Sequence, residues 1–355
     1  MKKVIAFLLS GICIVAIYFA WRAISFITTP AQTVKKEIVF DIPGGASFGR
    51  IAHNLESEGI IKDARLFSWY AKLTNQTTNI KTGEYKLSTD MRPKDVLDII
   101  VSGQSITYSL TVPEGFNIYE IRDELNKMWP GKGDEFLRLV RDPTFIKNTT
   151  GSDLISMEGY LFPETYIITK YTSVETLARR MYNYFTENIK KINAQAQIKM
   201  PLHDQVILAS VIEKETGAPS ERPLISSVFH NRLKKRMRLQ SDPTILYGML
   251  NETQKTIKNI SKSDILRPTP FNTYTVKALP VGPIANPGRE ALLAAVRPDV
   301  SDYLYFVSRN DGTHVFSETY KEHDAAVKKF QLDRKMREGK SWRNLNQKRA
   351  TQGSN

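Results

Sequence analysis

The residues best suited to chemistry stand at the end of one apolar run, Gln205-Val206-Ile207-Leu208-Ala209-Ser210-Val211-Ile212-Glu213-Lys214-Glu215-Thr216. It carries no charge until two carboxylates appear, and Gly217 and Pro219 then supply a helix stop. At about 100° per residue, Glu215 projects between Val211 and Ile212, with Leu208 below it. Glu213 points to the other side, towards Val206, Ala209 and Ser210. Glu215 therefore shares the richer apolar face. Desolvation should raise its pKa, and so should the partial negative charge of the helix C-terminus. A carboxyl kept protonated near neutral pH is what a general acid needs. The spacing alone leaves a plainer reading open, with both carboxylates solvated or paired to Lys214, Arg222 or Lys235.

Polar segments follow the acid pair. Leu239-Gln240-Ser241-Asp242-Pro243-Thr244 reads as a turn after a basic helix end. Phe271-Asn272-Thr273-Tyr274 and the Pro-rich Leu279 to Gly288 offer amides, hydroxyls and aromatic faces, a mixture that suits a sugar. Other chemistries fare worse. Gly45-Ala46-Ser47-Phe48-Gly49 matches the serine-hydrolase elbow in letters. Ser47 reads more simply as a helix cap, and His53 follows too closely to be the elbow's partner. The five His and the lone Cys13 form no zinc-type spacing, so no metal is expected. No phosphate-cradling or dinucleotide fingerprint is present, so no cofactor is expected either. No nucleic-acid-binding motif appears.

The elements that must position these residues can be read in outline. A strand at Ile38 to Phe40 ends in Ile42-Pro43-Gly44-Gly45, and Ser47 caps a helix with Phe48, Ile51, Ala52 and Leu55 on one face. A helix from Ala64 to Leu73, a strand from Gly83 to Leu87, a helix from Arg92 to Val101 and a strand from Ser105 to Val112 follow. At a constant offset of 70, Ile42-Pro43-x-Gly45-x-Ser47 recurs as Val112-Pro113-x-Gly115-x-Asn117, and Ile51 and Leu55 recur as Ile121 and Leu125. Each copy is a strand end, a Pro-Gly turn, a cap and an amphipathic helix. Helices are expected from Val174 to Ala194, Leu202 to Thr216, Glu221 to about Arg236 and Ala291 to Val296. A hairpin closes around Asn310-Asp311-Gly312.

Lys2 and Lys3 precede an uncharged run of 18 residues, Val4 to Trp21. As a helix this measures about 27 Å, close to the thickness of a bilayer core. It is longer than a secretory h-region and has no small-x-small cleavage site, which favours an uncleaved signal anchor over a removed signal. Lys2 and Lys3 favour a cytoplasmic N-terminus, although Arg22, Lys35 and Lys36 weaken the contrast. The 355 residues, 41% of them hydrophobic and 25% charged, exclude a wholly disordered chain. A mean hydropathy of −0.33 excludes a polytopic membrane protein. The formal charge is +13. From Lys328 onward nine basic residues face two acidic ones, so more than half of the excess sits in the tail.

At these residues the chain resembles the endolytic murein transglycosylases, the YceG-like or MltG family. The resemblance runs through Glu158 to Pro163, Ala209 to Thr216, Leu239 to Thr244, Asn272-Thr273-Tyr274, Leu279-Pro280 with Gly282-Pro283-Ile284, and Leu304 to Val307. Phe271, Val281 and Asp324 depart from the residues common there. The resemblance implies an α+β chain: a transmembrane anchor at 1–21, a linker at 22–36 and a LysM-like region at 37–130. A mixed α+β catalytic domain at 131–325 and a basic tail at 326–355 complete it. It implies Glu215 as the catalytic acid, with Gln240, Ser241, Asp242, Asn272, Tyr274 and Asn286 as candidate substrate contacts. The expected activity is cleavage of the MurNAc–GlcNAc bond of nascent peptidoglycan strands with a 1,6-anhydro product, ending their elongation. The implied partners are glycan strands, the inner membrane and peptidoglycan synthases, without nucleic acid. The competing class is a non-catalytic, membrane-anchored peptidoglycan-binding scaffold.

Overall fold

The computed structural model describes residues 2–215, 218–257 and 259–333. The expected stop at Gly217 and most of the basic tail fall outside them. The chain is mixed helix and sheet and forms two compact units, 1–109 with 167–172, and 110–166 with the rest.

The first unit begins with α1 (Lys2–Thr28), in which Leu9–Thr28 is long and apolar enough to cross a membrane. The helix runs seven residues past the expected anchor end, and Phe26 near its end packs on the unit's core. The segment after it is tied down: Thr89 Oγ1 donates to Val34 O (2.7 Å) and accepts from Lys36 N (3.0 Å). Of the residues 22–36 expected as a linker, those to Thr28 continue the helix and the rest lead to β1 with these bonds to Thr89. Strands β1 (Glu37–Ile42) and β2 (Gly83–Ser88) pair antiparallel, with Ile42 opposite Gly83. Between them lie α2 (Phe48–Ser57) and α3 (Ala64–Leu73), and α4 (Pro93–Ser102) follows. Local chemistry sets these boundaries. The Ser47 hydroxyl accepts from Arg50 N, and Asp63 Oδ1 accepts from Arg65 N and Leu66 N. Strand alternation sends Phe40, Ile42, Tyr85 and Leu87 inward against Ile51, Leu55, Phe67 and Leu97. Residues 167–172 join this unit because Lys170 Nζ and Tyr171 Oη both donate to Asp41, at 3.0 and 2.8 Å.

The second unit starts inside β3 (Tyr108–Thr111), shorter than the expected strand. It continues through α5 (Ile118–Met128), α6 (Lys132–Leu139) and α7 (Pro143–Thr150). Strand β4 (Thr165–Ile168), not expected from sequence, pairs with β3. Helix α8 (Val174–Asn193) and helix α9 (Leu202–Glu215) come next, then α10 (Arg222–Lys234), α11 (Asp242–Thr253), α12 (Lys262–Leu266) and α13 (Arg289–Val296). The antiparallel hairpin β5 (Tyr305–Ser308) and β6 (His314–Ser317) precedes α14 (Tyr320–Val327). The unit boundary at 109/110 differs from the expected domain boundary at 130/131. The second copy of the strand–turn–helix device belongs with the later helices because α5 packs on α6 and its turn rests on α9.

Helix α9 is the axis of this unit. Every residue from Gln205 to Glu213 is buried. Such a helix is held by neighbours on all sides. The small residues Ala291, Ala294 and Ala295 let α13 pack against it. Its polar side chains are spent on fixed partners. Gln205 Nε2 donates to Leu292 O (3.2 Å), and the Ser210 hydroxyl accepts Ile284 N (3.0 Å), hanging the Pro-rich segment on the helix.

Candidate active site

The two carboxylates at the end of α9 have opposite surroundings. Glu213 is buried and fully engaged: Arg222 Nη2 donates to Oε1 at 2.6 Å, and Gly288 N donates to Oε2 at 2.9 Å. Arg222 also lies 3.6 Å from Glu114. Glu215 has no ion pair among the described residues. Its Oε1 accepts the Ser241 hydroxyl. The residue keeps some contact with solvent while its carboxyl is enclosed by protein. That enclosure, with the charge of Asp242 beside it, pushes its pKa up to about 7, against a smaller lowering by Ser241 and Arg232. The expected contrast between apolar faces does not separate the pair, because α9 is buried all round. What separates them is Arg222.

Ser241 is placed by an unusual stretch of backbone. Gln240 adopts a left-handed conformation (φ +53°). Its N–H donates to Thr273 O at 3.2 Å, and Ser241 N donates to Thr273 Oγ1 at 2.9 Å. The buried Arg232 of α10 spans the turn from beneath. Its Nη1 donates to Leu239 O (2.8 Å) and its Nε to Leu304 O (2.6 Å). The segment expected as a turn continues straight into α11, whose first residue is Asp242. A negative charge there is favoured by the helix N-terminus. Tyr274 Oη donates to Asp242 Oδ1 at 2.7 Å, orienting it.

Glu215, Ser241, Asp242 and Tyr274 thus form one connected group, with Gln240 at its edge. Two expected substrate contacts are corrected. Asn272 is fully buried: its amide donates to Arg267 O (2.7 Å) and Ile265 O (3.0 Å) and accepts Tyr274 N (2.9 Å). Asn286 is also fully buried. It accepts from Gly159 N and Leu161 N and donates to Phe116 O and Glu158 Oε1, all within 3.1 Å. Both amides are used up on the fold, so they position loops and offer nothing to a ligand.

Three residues without an expected role matter here. Arg232 looked like one member of a basic helix end, and only the tertiary fold reveals its acceptors. Thr273 looked like spacing between Asn272 and Tyr274. Glu158 is buried and accepts from Ile118 N (3.0 Å), Tyr247 Oη (2.9 Å) and Asn286 Nδ2 (3.0 Å). Burial pushes its pKa up to about 8. It is a structural acid of the core. Among the described residues no group of His, Cys, Asp and Glu is arranged to hold a metal ion.

A desolvated carboxylic acid with a hydroxyl donor, next to an oriented second carboxylate, is equipment suited to acid-catalysed cleavage of a glycosidic bond. Comparison with known proteins places the chain more narrowly. The YceG-like family model matches residues 40–329, and the chain belongs to that family. It is 32% identical over 314 residues to a Bacillus subtilis protein named endolytic murein transglycosylase, covering 83% of this chain and 85% of the relative. A Streptococcus pneumoniae protein of the same name is 30% identical over 325 residues, which are 82% of this chain and 58% of that longer protein. The crystal structure of a putative YceG-like protein from Listeria monocytogenes aligns with a TM-score of 0.55 at 34% identity. It covers 82% of this chain and all of that one.

Proposed function

We propose that the chain is a membrane-anchored peptidoglycan lytic transglycosylase with Glu215 as its single acid and base. The observation that carries this reading is the Glu215 carboxyl, enclosed beside Ser241 and without an ion pair among the described residues, where burial pushes its pKa up to about 7. Curated relatives named endolytic murein transglycosylase support the substrate class.

In the proposed reaction the Glu215 proton passes to the oxygen linking N-acetylmuramic acid to N-acetylglucosamine. The C1–O bond breaks and positive charge develops at the muramoyl C1. The muramoyl C6 hydroxyl oxygen then bonds to C1, and its proton returns to the Glu215 carboxylate. A 1,6-anhydro end is left, no water is consumed, and the acid is regenerated. Ser241 and Arg232 stabilise the ionised carboxylate between the two transfers, while Asp242 favours the protonated form at the start. Both states of one carboxyl are therefore supported. Gln240, Ser241, Asp242 and Tyr274 line the glycan, and Asn272 and Asn286 hold the loops behind them.

The apolar α1 is the membrane anchor in this reading, with the N-terminus cytoplasmic and both units exported from the inner membrane. The first unit serves as a LysM-like glycan grip. Cutting nascent strands near a partner synthase would end their elongation.

Mass spectrometry of purified glycan strands after incubation tests the reaction. Wild type should release strands with anhydro-muramic ends, and Glu215→Gln should lower the rate by at least about a hundredfold. Reducing muramic ends would instead indicate hydrolysis with Asp242 as a second carboxylate.

A further inference from the structure

We propose that Tyr305, Tyr320 and His323 form an aromatic shelf that takes one pyranose ring of the glycan strand, away from the bond being cut. The inference rests on the glycan reading above. Tyr305 lies on β5, Tyr320 opens α14, and His323 stands one turn further on. The Tyr305 and His323 rings stack at 5.1 Å with planes 23° apart. Tyr320 meets Tyr305 edge-on at 6.1 Å and lies 6.3 Å from His323. Three rings from two elements thus cluster, with Tyr320 the most exposed of them. Tyr320 is 67% exposed, so its ring face is available and not spent on the core.

The shelf is tied to the acid through one side chain. The Arg232 guanidinium sits 5.3 Å from the centre of the Tyr305 ring. The same cation interacts electrostatically with Glu215 and Tyr274. Arg232 is thus shared between the aromatic cluster and the group around Glu215. The match is chemical as well. A pyranose ring presents an apolar C–H face and a hydroxylated rim, and tyrosine pairs an apolar ring with a polar tip. Burial and the neighbouring Arg232 hold His323 below the ordinary imidazole range. His323 Nδ1 is buried without a hydrogen-bond partner among the described residues.

The test measures binding, not cleavage. Chitotetraose, which carries no wall peptide, is titrated calorimetrically into the full-length Glu215→Gln protein in detergent. Tyr320→Ala on that background should weaken binding about three- to tenfold, the range expected for a lost aromatic contact. Tyr320→Trp should restore it and Tyr320→Leu should not. Equal binding by Tyr320→Ala, restoration by Leu, or no binding of the tetramer to the Glu215→Gln protein would overturn the shelf. Thermal unfolding of each variant separates these outcomes from loss of the fold. Anhydro products from wild type together with Tyr320-independent binding sink the shelf and leave the proposed reaction standing. Tyr320-dependent binding without anhydro products does the reverse.

Discussion

The strand–turn–helix device occurs twice, and the two copies have been put to different uses. In the first, Pro43 and Gly45 turn the chain into α2, and the space around Gly45 is open. In the second, Pro113 and Gly115 turn it into α5, and the turn is pressed against the acid helix. A Cβ on Gly115 would sit 3.4 Å from Glu213 Cγ and 3.6 Å from Lys214 Cδ. Lys214 Nζ donates to Gly115 O (3.1 Å), and Gly115 N donates to Asn286 O (2.9 Å). Both glycines have positive φ, +76° and +79°. The backbone reason for glycine is common to both copies, and the packing against α9 belongs to the second alone. The comparison teaches that local sequence grammar sets a local conformation, while packing decides whether that conformation serves a site.

Removing what the second turn rests on should have the largest effect. Glu213→Ala leaves Arg222 buried without its close partner and frees Gly288 N, for an expected loss of about 3–5 kcal/mol. Chemical denaturation measures it. A loss below about 1 kcal/mol would mean the clamp is ornamental. A smaller effect is expected from the paired substitutions Gly115→Ala and Gly45→Ala. Each should cost about 1–2 kcal/mol through left-handed strain. Gly115→Ala should also slow cleavage by the folded protein about threefold, because its left-handed strain falls on a turn in contact with Glu213 and Lys214, next to Glu215. Equal cleavage by the two variants would erase the functional difference between the copies.

The smallest effect concerns the caps. Asn117 forms a full capping box with Glu120, whereas Ser47 accepts one long bond (3.4 Å) from Arg50 N. Asn117→Ala should cost about 1–2 kcal/mol and Ser47→Ala about 0.5 kcal/mol, by thermal unfolding.

Much of the local structure was legible in the sequence. The caps Ser47 and Asn117 and the bounds Ala64 to Leu73 follow from short-range chemistry that one sequence carries. Glu215 stood out through its helix and its resemblance, although the difference in surroundings between it and Glu213 was not legible. That difference is Arg222, nine positions beyond Glu213, which engages this carboxylate and not Glu215. The long-range assignments were out of reach. Asn272 and Asn286 have the right side chains for sugar recognition, and nothing in their spacing shows that both are buried and engaged by backbone groups and, for Asn286, by Glu158. Asp242 to Thr253 hid a helix behind turn-forming residues, because its N-terminal stretch Ser241-Asp242-Pro243 is helix-starting and turn-forming alike. Strand β4 is four residues long and offers little signal of its own.

The most direct test of one enclosed carboxyl serving as acid and base is the pH dependence of kcat/KM on purified glycan strands. Burial raises the pKa of Glu215, so the active protonated form holds at low pH and is lost as pH rises. The rate should be level below pH about 6 and fall about tenfold per unit above about 7. A fall already centred near 4.5, the ordinary glutamate value, or no fall up to pH about 9, would contradict the account.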